Sequence, residues 1–192
     1  MRYQGVSVTF FLYAKEYLKM KHTKKLTLSA LFLALGLVMP FLTMQIPEIG
    51  SMLLPMHIPV IICGFVCGPV WGAGVGFITP LLRSVTFGMP PMMPTAIGMA
   101  FELAAYAAVA GLLYHMMKKT RIGTYISLIG AMIAGRIVWG LASMVLYQAM
   151  GAAFTWQMFA AGAFLSAIPG IILQLAIIPP IIIVLKQNKF IE

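Results

Sequence analysis

The sequence has little charge and no aspartate at all. Charged residues make up 9% of its 192 residues, whereas a soluble domain carries about a quarter. The only acidic residues are Glu16, Glu48, Glu102 and Glu192. Hydrophobic residues make up 61% of the chain, and charge-free runs of about 20 residues recur along it, which is the length of a membrane-spanning helix. This composition excludes a soluble domain and predicts an integral membrane protein.

The short segments of alternating polarity that build a membrane β-barrel are also missing. Because backbone groups in lipid must be hydrogen-bonded within the protein, the apolar runs are predicted to be helices. We predict an all-α bundle of six transmembrane helices over residues 26–45, 51–67, 70–87, 95–117, 123–148 and 159–185. Gly68-Pro69 is expected to separate the second helix from the third, since proline disfavours helical geometry in the residue before it.

Motifs of catalysis are absent from the sequence. There is no Gly-x-Ser-x-Gly, no His-Glu-x-x-His and no Walker A motif. His22, His57 and His115 are too far apart in sequence to suggest a metal site. We therefore expect no enzyme activity, no metal and no cofactor, and any ATP hydrolysis that drives transport would reside in other chains.

Cysteine is scarce, and the two cysteines present are Cys63 and Cys67, one helical turn apart in the second span. They could form a redox pair. The cytoplasmic side of a membrane is reducing, however, so we expect two buried free thiols that pack as small hydrophobic side chains.

Eleven of the thirteen lysine and arginine residues, which with four glutamates give a net charge of +9, lie in three segments, and Arg83 and Arg136 are the two that fall within the predicted spans. These segments precede the first span, join the fourth span to the fifth, and follow the sixth; the residues are Arg2, Lys15, Lys19, Lys21, Lys24, Lys25, Lys118, Lys119, Arg121, Lys186 and Lys189. With six spans all three segments lie on one side, and the loops of the other side carry no lysine or arginine. This is the positive-inside pattern, so both termini are predicted to be cytoplasmic, and nucleic acid is not an expected partner.

The chain divides into a basic N-terminal segment (1–25), the transmembrane domain (26–185) and a short cytoplasmic tail (186–192). Residues 1–19 contain a hydrophobic stretch that is too short to span a bilayer. It is either an interfacial amphipathic segment or the product of an upstream start codon, with Met20 as the working start.

Polar side chains inside the predicted spans are few, and such residues usually face a partner or a cavity. Glu102 and Tyr106 share one face of the fourth span, and Arg136 and Tyr147 share one face of the fifth. By the predicted topology the polar groups gather in the outer half of the protein, which predicts a pocket that opens outward. The candidates are His57, Arg83, Glu102, Tyr106, Arg136, Trp139, Tyr147 and Gln174. Alternatively, Glu102 and Arg136 form a buried ion pair that only locks the bundle, although one pair could do both.

Prolines surround the outer part of this expected pocket. Pro55 and Pro59 flank His57, and each removes a backbone donor and bends the chain. His57 would then face the cavity as a hydrogen-bonding group, unless it is an ordinary histidine at the interface. Residues 87–95, "FGMPPMMPT", are expected to form a stiff lid, or else an ordinary connector.

The first span contains Ala30 and Ala34 one turn apart, a spacing of small residues that lets another helix approach closely. That helix could belong to this bundle or to another chain. The chain resembles the S components of energy-coupling factor (ECF) vitamin transporters in this span and in the segments around it. The segments that carry the resemblance are "KKLTLSALFLALG", "MLLPMHIPVIICGFVCGPVWGAGVGFITPLLRS" and "MPPMMPTAIGMAFELAAYAAVAGLLY". The resemblance extends from Lys24 to Lys189. The segments "HIPVIICGFVCGP" and "GFITPLLRS" resemble the pantothenate, pyridoxine and hydroxymethylpyrimidine branch more than the biotin or cobalt members.

The resemblance implies a mechanism as well as a fold. S components bind a vitamin with high affinity from outside, under external loops, in the cell membrane of a bacterium. They dock through the small-residue face of the first span, here Ala30 and Ala34, on a transmembrane T subunit that is driven by two cytoplasmic ABC-type ATPases. The S component is thought to topple in the membrane and so to carry its pocket to the cytoplasmic side.

The nature of the vitamin stays open between two chemistries. If Glu102 and Arg136 neutralise each other, Arg83 is left as a spare cation near the mouth of the pocket, and arginine favours carboxylates. Pantothenate fits that arrangement and is slightly favoured, whereas pyridoxine or hydroxymethylpyrimidine fits a Glu102 acceptor with aromatic stacking. The alternative class is a self-sufficient proton-coupled carrier or small channel, but the two related halves typical of such carriers are not evident.

Overall fold

A computed structural model describes residues 22–43, 52–117, 120–162 and 167–188 of the chain. The described residues are helices and short connections, and they contain no strand. The predictions for residues 1–19 and for the end of the tail lie outside the described residues.

Seven helices follow one another along these residues. Five of them, two of which are counted with the short turns that adjoin them, are long and apolar enough to cross a membrane: His22–Leu42, Pro69–Phe87, Met92–Met116, Arg121–Ala149 and Ile168–Gln187. We label them α1 (residues 22–38, then a 3-10 turn Met39–Thr43), α2 (His57–Cys67), α3 (Pro69–Phe87), α4 (Ile97–Met116), α5 (Arg121–Ala149), α6 (Trp156–Ala160) and α7 (Ile168–Gln187). α2 is apolar but has only 11 residues.

The predicted break between the second and third spans is confirmed. α2 ends at Cys67, and Gly68 adopts φ 97°, a left-handed conformation that glycine reaches without steric cost. The Gly68 N–H donates a 3.1 Å hydrogen bond to the carbonyl of Gly64. α3 then starts with Pro69, whose missing N–H would have no partner in the first helical turn.

Two predicted helix starts are wrong. The second span was expected to be helical from residue 51, but Leu54 has φ 50° and Pro55 lies in a turn, so that α2 begins only at His57. Pro55 lacks the N–H that a continuous helix would use, which explains the interruption. The last span was predicted to begin at residue 159, but that residue lies in the short helix α6 and the long helix begins at Ile168; residues 163–166 between them lie outside the described residues.

α4 lies at the centre of the bundle, between α2, α3 and α5. Its Ala100, Ala107 and Ala110 are fully buried, and such small side chains allow neighbouring helices to approach closely. Gly64 of α2 lies directly against the backbone of Ala107. The packing of the bundle therefore depends on the absence of side chains at specific positions.

Gly76 and Gly74 of α3 provide a matched test of this packing. A Cβ at Gly76 would lie 2.5 Å from the carbonyl oxygen of Leu103 on α4, whereas a Cβ at Gly74 would meet nothing within 4 Å. We expect Gly76→Ala to lower the free energy of unfolding by ~1–3 kcal/mol, because overpacking forces α3 away from α4. Gly74→Ala should be neutral or slightly stabilising, since alanine is the better helix former. Thermal unfolding of both variants in one detergent tests this, and equal unfolding temperatures would contradict it.

Candidate functional site

An ion pair between α4 and α5 forms the centre of the candidate site. Arg136 Nη1 donates to Glu102 Oε1 at 2.8 Å, and the two residues are 8% and 2% exposed. Two opposite charges in apolar helices are brought together because each is costly to bury alone. The structure thus contains the pair that the sequence suggested.

His57 and Tyr106 lie beside this pair. The first residue of α2, His57, is fully buried, and its Nε2 is 3.9 Å from Glu102 Oε2. Its ring stands edge-to-face on the Tyr106 ring, with centroids 5.5 Å apart. Tyr106 in turn packs on Gly135, where a Cβ would come within 2.6 Å of the phenol ring. The break at Pro55 therefore places the imidazole against the carboxylate of α4.

Gln174 of α7 also points into the bundle and is 1% exposed. Ile178, one turn later on the same face, packs in a core cluster with Tyr106 and Met132. Met132 lies one turn before Arg136 on α5. Gln174 is therefore one turn from the same cluster, so α2, α4, α5 and α7 each direct a polar side chain towards the interior.

Several nitrogen atoms of these side chains have no hydrogen-bond partner among the described residues. They are Nδ1 and Nε2 of His57, Nε and Nη2 of Arg136, and Nε2 of Gln174, all of them buried. A buried donor without a partner costs roughly 1–3 kcal/mol, and proteins keep few of them. Of these side chains, His57 and Arg136 lie next to Glu102, which is the only acidic residue among the described residues.

Arg83 is not part of the ion pair between Glu102 and Arg136, and it has other partners. Arg83 is 3% exposed, and its Nη1 donates a 2.6 Å hydrogen bond to the carbonyl of Leu37 near the end of α1. The guanidinium carbon lies 5.2 Å from the ring centre of Phe41 and 5.3 Å from that of Phe87. The hydrogen bond accounts for one nitrogen of the expected spare cation, and no carboxylate of the described residues contacts it.

Trp139 and Tyr147 of α5 belong to an aromatic cluster with the segment that follows α5. The Trp139 ring stacks with Phe159 at 6.1 Å and meets Phe154 edge-on at 5.9 Å. Tyr147 lies 5.3 Å from Phe154 between ring centres. Phe154 and Phe159 were not among the residues predicted to form the site, although three aromatic residues within "FTWQMF" were a signal.

Residues 87–95 are the segment that was predicted to form an outer lid. In residues 87–95, the side chains of Met92 and Met93 are 40% and 46% exposed, and their role as a cover stays a prediction.

Cys63 and Cys67 are free and buried, as predicted. The Cys63 thiol donates to the hydroxyl of Ser29 at 3.8 Å.

A cavity of about 470 Å³ lies at the other end of the bundle, where α4 and α7 end and α5 begins. Tyr114 and Thr124 are among its lining residues, as are Arg121 and Lys186. Tyr114 lies about 18 Å along α4 from Glu102 by the rise of an α-helix, so this cavity is separate from the ion pair. Arg121 and Lys186 contributed to the predicted topology but were not predicted to line a cavity.

Comparison with known proteins agrees with these features. The family described as "ECF transporter, substrate-specific component" matches residues 24–182, which is most of the chain and includes His57, Glu102, Arg136 and Gln174. Among curated proteins and solved structures, no match was found. The apolar helices and this match together establish a multi-pass membrane protein that serves as a transport subunit. The chain belongs to the family of substrate-specific components of ECF transporters.

Proposed function

We propose that the chain binds a small water-soluble vitamin, or a vitamin precursor, at the buried cluster of His57, Glu102, Arg136 and Gln174. It delivers this ligand for ATP-driven import together with a separate T subunit and two cytoplasmic ABC-type ATPases. The observation that carries the proposal is the set of buried nitrogen atoms without partners in a member of a substrate-binding family. A polar ligand would provide the missing hydrogen bonds.

The chemistry of these atoms favours a ligand rich in acceptors. The unpartnered nitrogens of Arg136 and Gln174 can only donate, and Arg136 already neutralises Glu102. The ligand must therefore offer oxygen or ring-nitrogen acceptors. Pantothenate, with carboxylate, amide and hydroxyl groups, fits best, and pyridoxine or hydroxymethylpyrimidine fits through ring nitrogen and hydroxyl groups.

The binding site is closed in this conformation, since none of His57, Glu102, Arg136 and Gln174 exceeds 8% exposure. We propose that Trp139 and Tyr147, with the aromatic segment after α5, cover the site together with the proline-rich turn before α4. Movement of these covers would admit a ligand from outside.

The proposed orientation rests on the ends of the helices. The first residues of α1 and α5 and the last turn of α7 carry Lys24, Lys25, Arg121 and Lys186, and the positive-inside rule assigns that end to the cytoplasm. With α2 and the residues before it as a further crossing, the chain makes six crossings in the bacterial cell membrane. The buried cluster then lies in the outer half.

Coupling to the T subunit is proposed to use Ala30 and Ala34. Both are exposed on α1, whereas Ser29, Gly36 and Pro40 on the other side of the helix are buried in the bundle. Their exposure supports contact with a partner helix more than packing inside this chain.

Purification of the full chain followed by mass spectrometry of co-purified small molecules tests the function. A panel of vitamins in thermal unfolding adds a second readout, because a ligand that binds only the folded state raises apparent stability. We expect one vitamin of the named group to stabilise the protein, and uptake to require the ATPase chains. Uptake by this chain alone would instead indicate a self-sufficient carrier.

Arg83 distinguishes the candidate vitamins. Because Glu102 is paired with Arg136, Arg83 contributes an unbalanced positive charge near the outer end of α3. Arg83→Ala should weaken binding of pantothenate by about tenfold and that of neutral pyridoxine much less, as measured by titration calorimetry. Arg83→Lys, which keeps the charge, serves as the control. Equal losses for both vitamins would contradict the role of charge.

A further inference from the structure

Gly98 of α4 is a buried glycine with space beside it. A Cβ at Gly98 would have its nearest contacts at 3.7 Å, with the Ser143 hydroxyl and the indole of Trp139, which is an ordinary van der Waals distance. At the buried Gly76 and Gly111, by contrast, a Cβ would lie 2.5 Å from a backbone carbonyl oxygen of a neighbouring helix. Those two glycines are needed because backbones touch there. Helix packing does not require a glycine at position 98, so its missing side chain has another use.

Polar atoms border the space at Gly98. Ser143 is 4% exposed, and its hydroxyl oxygen would lie 3.7 Å from the added Cβ, as would Nε1 of Trp139. A hydroxyl and an indole N–H can each donate a hydrogen bond to a ligand. Binding sites for small molecules are mostly apolar and contain a few such groups at fixed positions. The space at Gly98 has this character.

The same space continues the buried cluster outward along the groove between α4 and α5. Gly98 precedes Glu102 by one turn of α4, and Ser143 follows Arg136 by two turns of α5, so that each pair shares one face of its helix. Nε and Nη2 of Arg136 are buried and have no partner among the described residues. The groove therefore has hydrogen-bond donors at its inner and outer ends. The distance from Arg136 to Ser143 along α5 is about 10 Å by the rise of an α-helix.

We infer that the ligand is an elongated molecule with polar groups at both ends, one bound by Arg136 and the other placed against Gly98 and bonded to Ser143. This inference rests on the proposed function and adds Gly98 and Ser143 to its site. The open chain of pantothenate carries polar groups over its whole length and reaches both ends of the groove. The single ring of pyridoxine reaches only one end. Gly98 and Ser143 therefore determine the length of the ligand that the site accepts.

Two variants test the outer end of the groove, with Gly74→Ala on the exposed side of α3 as the matched control. Gly98→Ala adds a methyl group at an ordinary contact distance, so without ligand it should unfold at the same temperature as Gly74→Ala. The same methyl group occupies the place of the ligand, and we expect pantothenate to bind about tenfold more weakly. Ser143→Ala removes a hydrogen bond to the ligand, and we expect a similar loss of about tenfold.

Titration calorimetry of the full chain in detergent measures these losses, with pyridoxine as the short probe. Pyridoxine held at the ion pair does not reach the outer end, so its affinity should change by less than about twofold in Gly98→Ala and Ser143→Ala. Gly74→Ala should bind pantothenate as the wild type does.

Four results would overturn the inference. A lower unfolding temperature of Gly98→Ala than of Gly74→Ala would show that the glycine serves packing. Unchanged pantothenate binding in either site variant would show that the ligand does not extend to the outer end. Equal losses for pantothenate and pyridoxine, or a wild type that binds a single-ring vitamin and not pantothenate, would exclude the elongated ligand while the proposed function stands. A wild type that binds no vitamin of the panel would refute the proposed function, and the inference with it.

Discussion

Replacing Arg136 by methionine is expected to lower the free energy of unfolding by about 3–5 kcal/mol, the largest change in stability that we predict. The substitution leaves the Glu102 carboxylate buried at 2% exposure, and His57 Nε2, at 3.9 Å, is then its one possible ion-pair partner among the described residues. An uncompensated buried charge is far more costly than the loss of one hydrogen bond. Thermal unfolding in detergent, at several pH values, measures the effect.

A double-mutant cycle separates the structural role of the pair from its role in binding. Glu102→Gln/Arg136→Met removes both charges, so most of the stability should return. Vitamin binding should not return, because the donors of Arg136 are gone, and we expect a loss of about 100-fold or more in affinity. If the double variant binds the vitamin as the wild type does, the pair only locks the bundle and the proposed site is wrong.

The helical architecture and the ion pair between Glu102 and Arg136 could be predicted from the sequence. The architecture follows from the local chemistry of the backbone, and the ion pair follows from the free-energy cost of burying a single charge. Gly68 and Pro69 act on their own backbone, so the break between α2 and α3 is visible in the sequence. Glu102 and Arg136 are two opposite charges in apolar helices, and each strongly favours the other as partner. Helix length and hydropathy likewise indicated the five long spans.

Other features depend on tertiary contacts that no pattern encodes. The partner of Arg83 is a backbone carbonyl, that of Leu37, which becomes available where α1 tightens into a 3-10 turn. Every residue has a backbone carbonyl, so the sequence does not indicate which one will accept a hydrogen bond. Arg83 was therefore predicted to be a spare cation, although one nitrogen of its guanidinium has a partner in the structure. Similarly, the cavity beside Tyr114 arises only where three helix ends meet.

Ala34→Trp is expected to abolish vitamin uptake while leaving vitamin binding nearly unchanged. Ala34 is exposed on α1, and the helix contacts the bundle through other side chains, among them Leu28, Phe32 and Leu33. An indole at position 34 therefore does not disturb the core or the buried cluster. It does prevent a partner helix from approaching closely, which is the purpose of small residues at a membrane helix interface. Uptake of labelled vitamin should fall by about tenfold or more, with the dissociation constant within about twofold of the wild type.

The matched control is Ala176→Trp, which places the same side chain on α7 at another exposed alanine within an apolar spanning helix. Both variants add one indole to a lipid-facing surface, so any general effect of tryptophan on insertion or stability appears in both. Only a specific contact with the T subunit distinguishes them. Intact uptake by Ala34→Trp, or the same loss in Ala176→Trp, would refute docking through α1. A loss of vitamin binding in Ala34→Trp would show instead that α1 supports the binding site, and coupling would then have to reside on another helix.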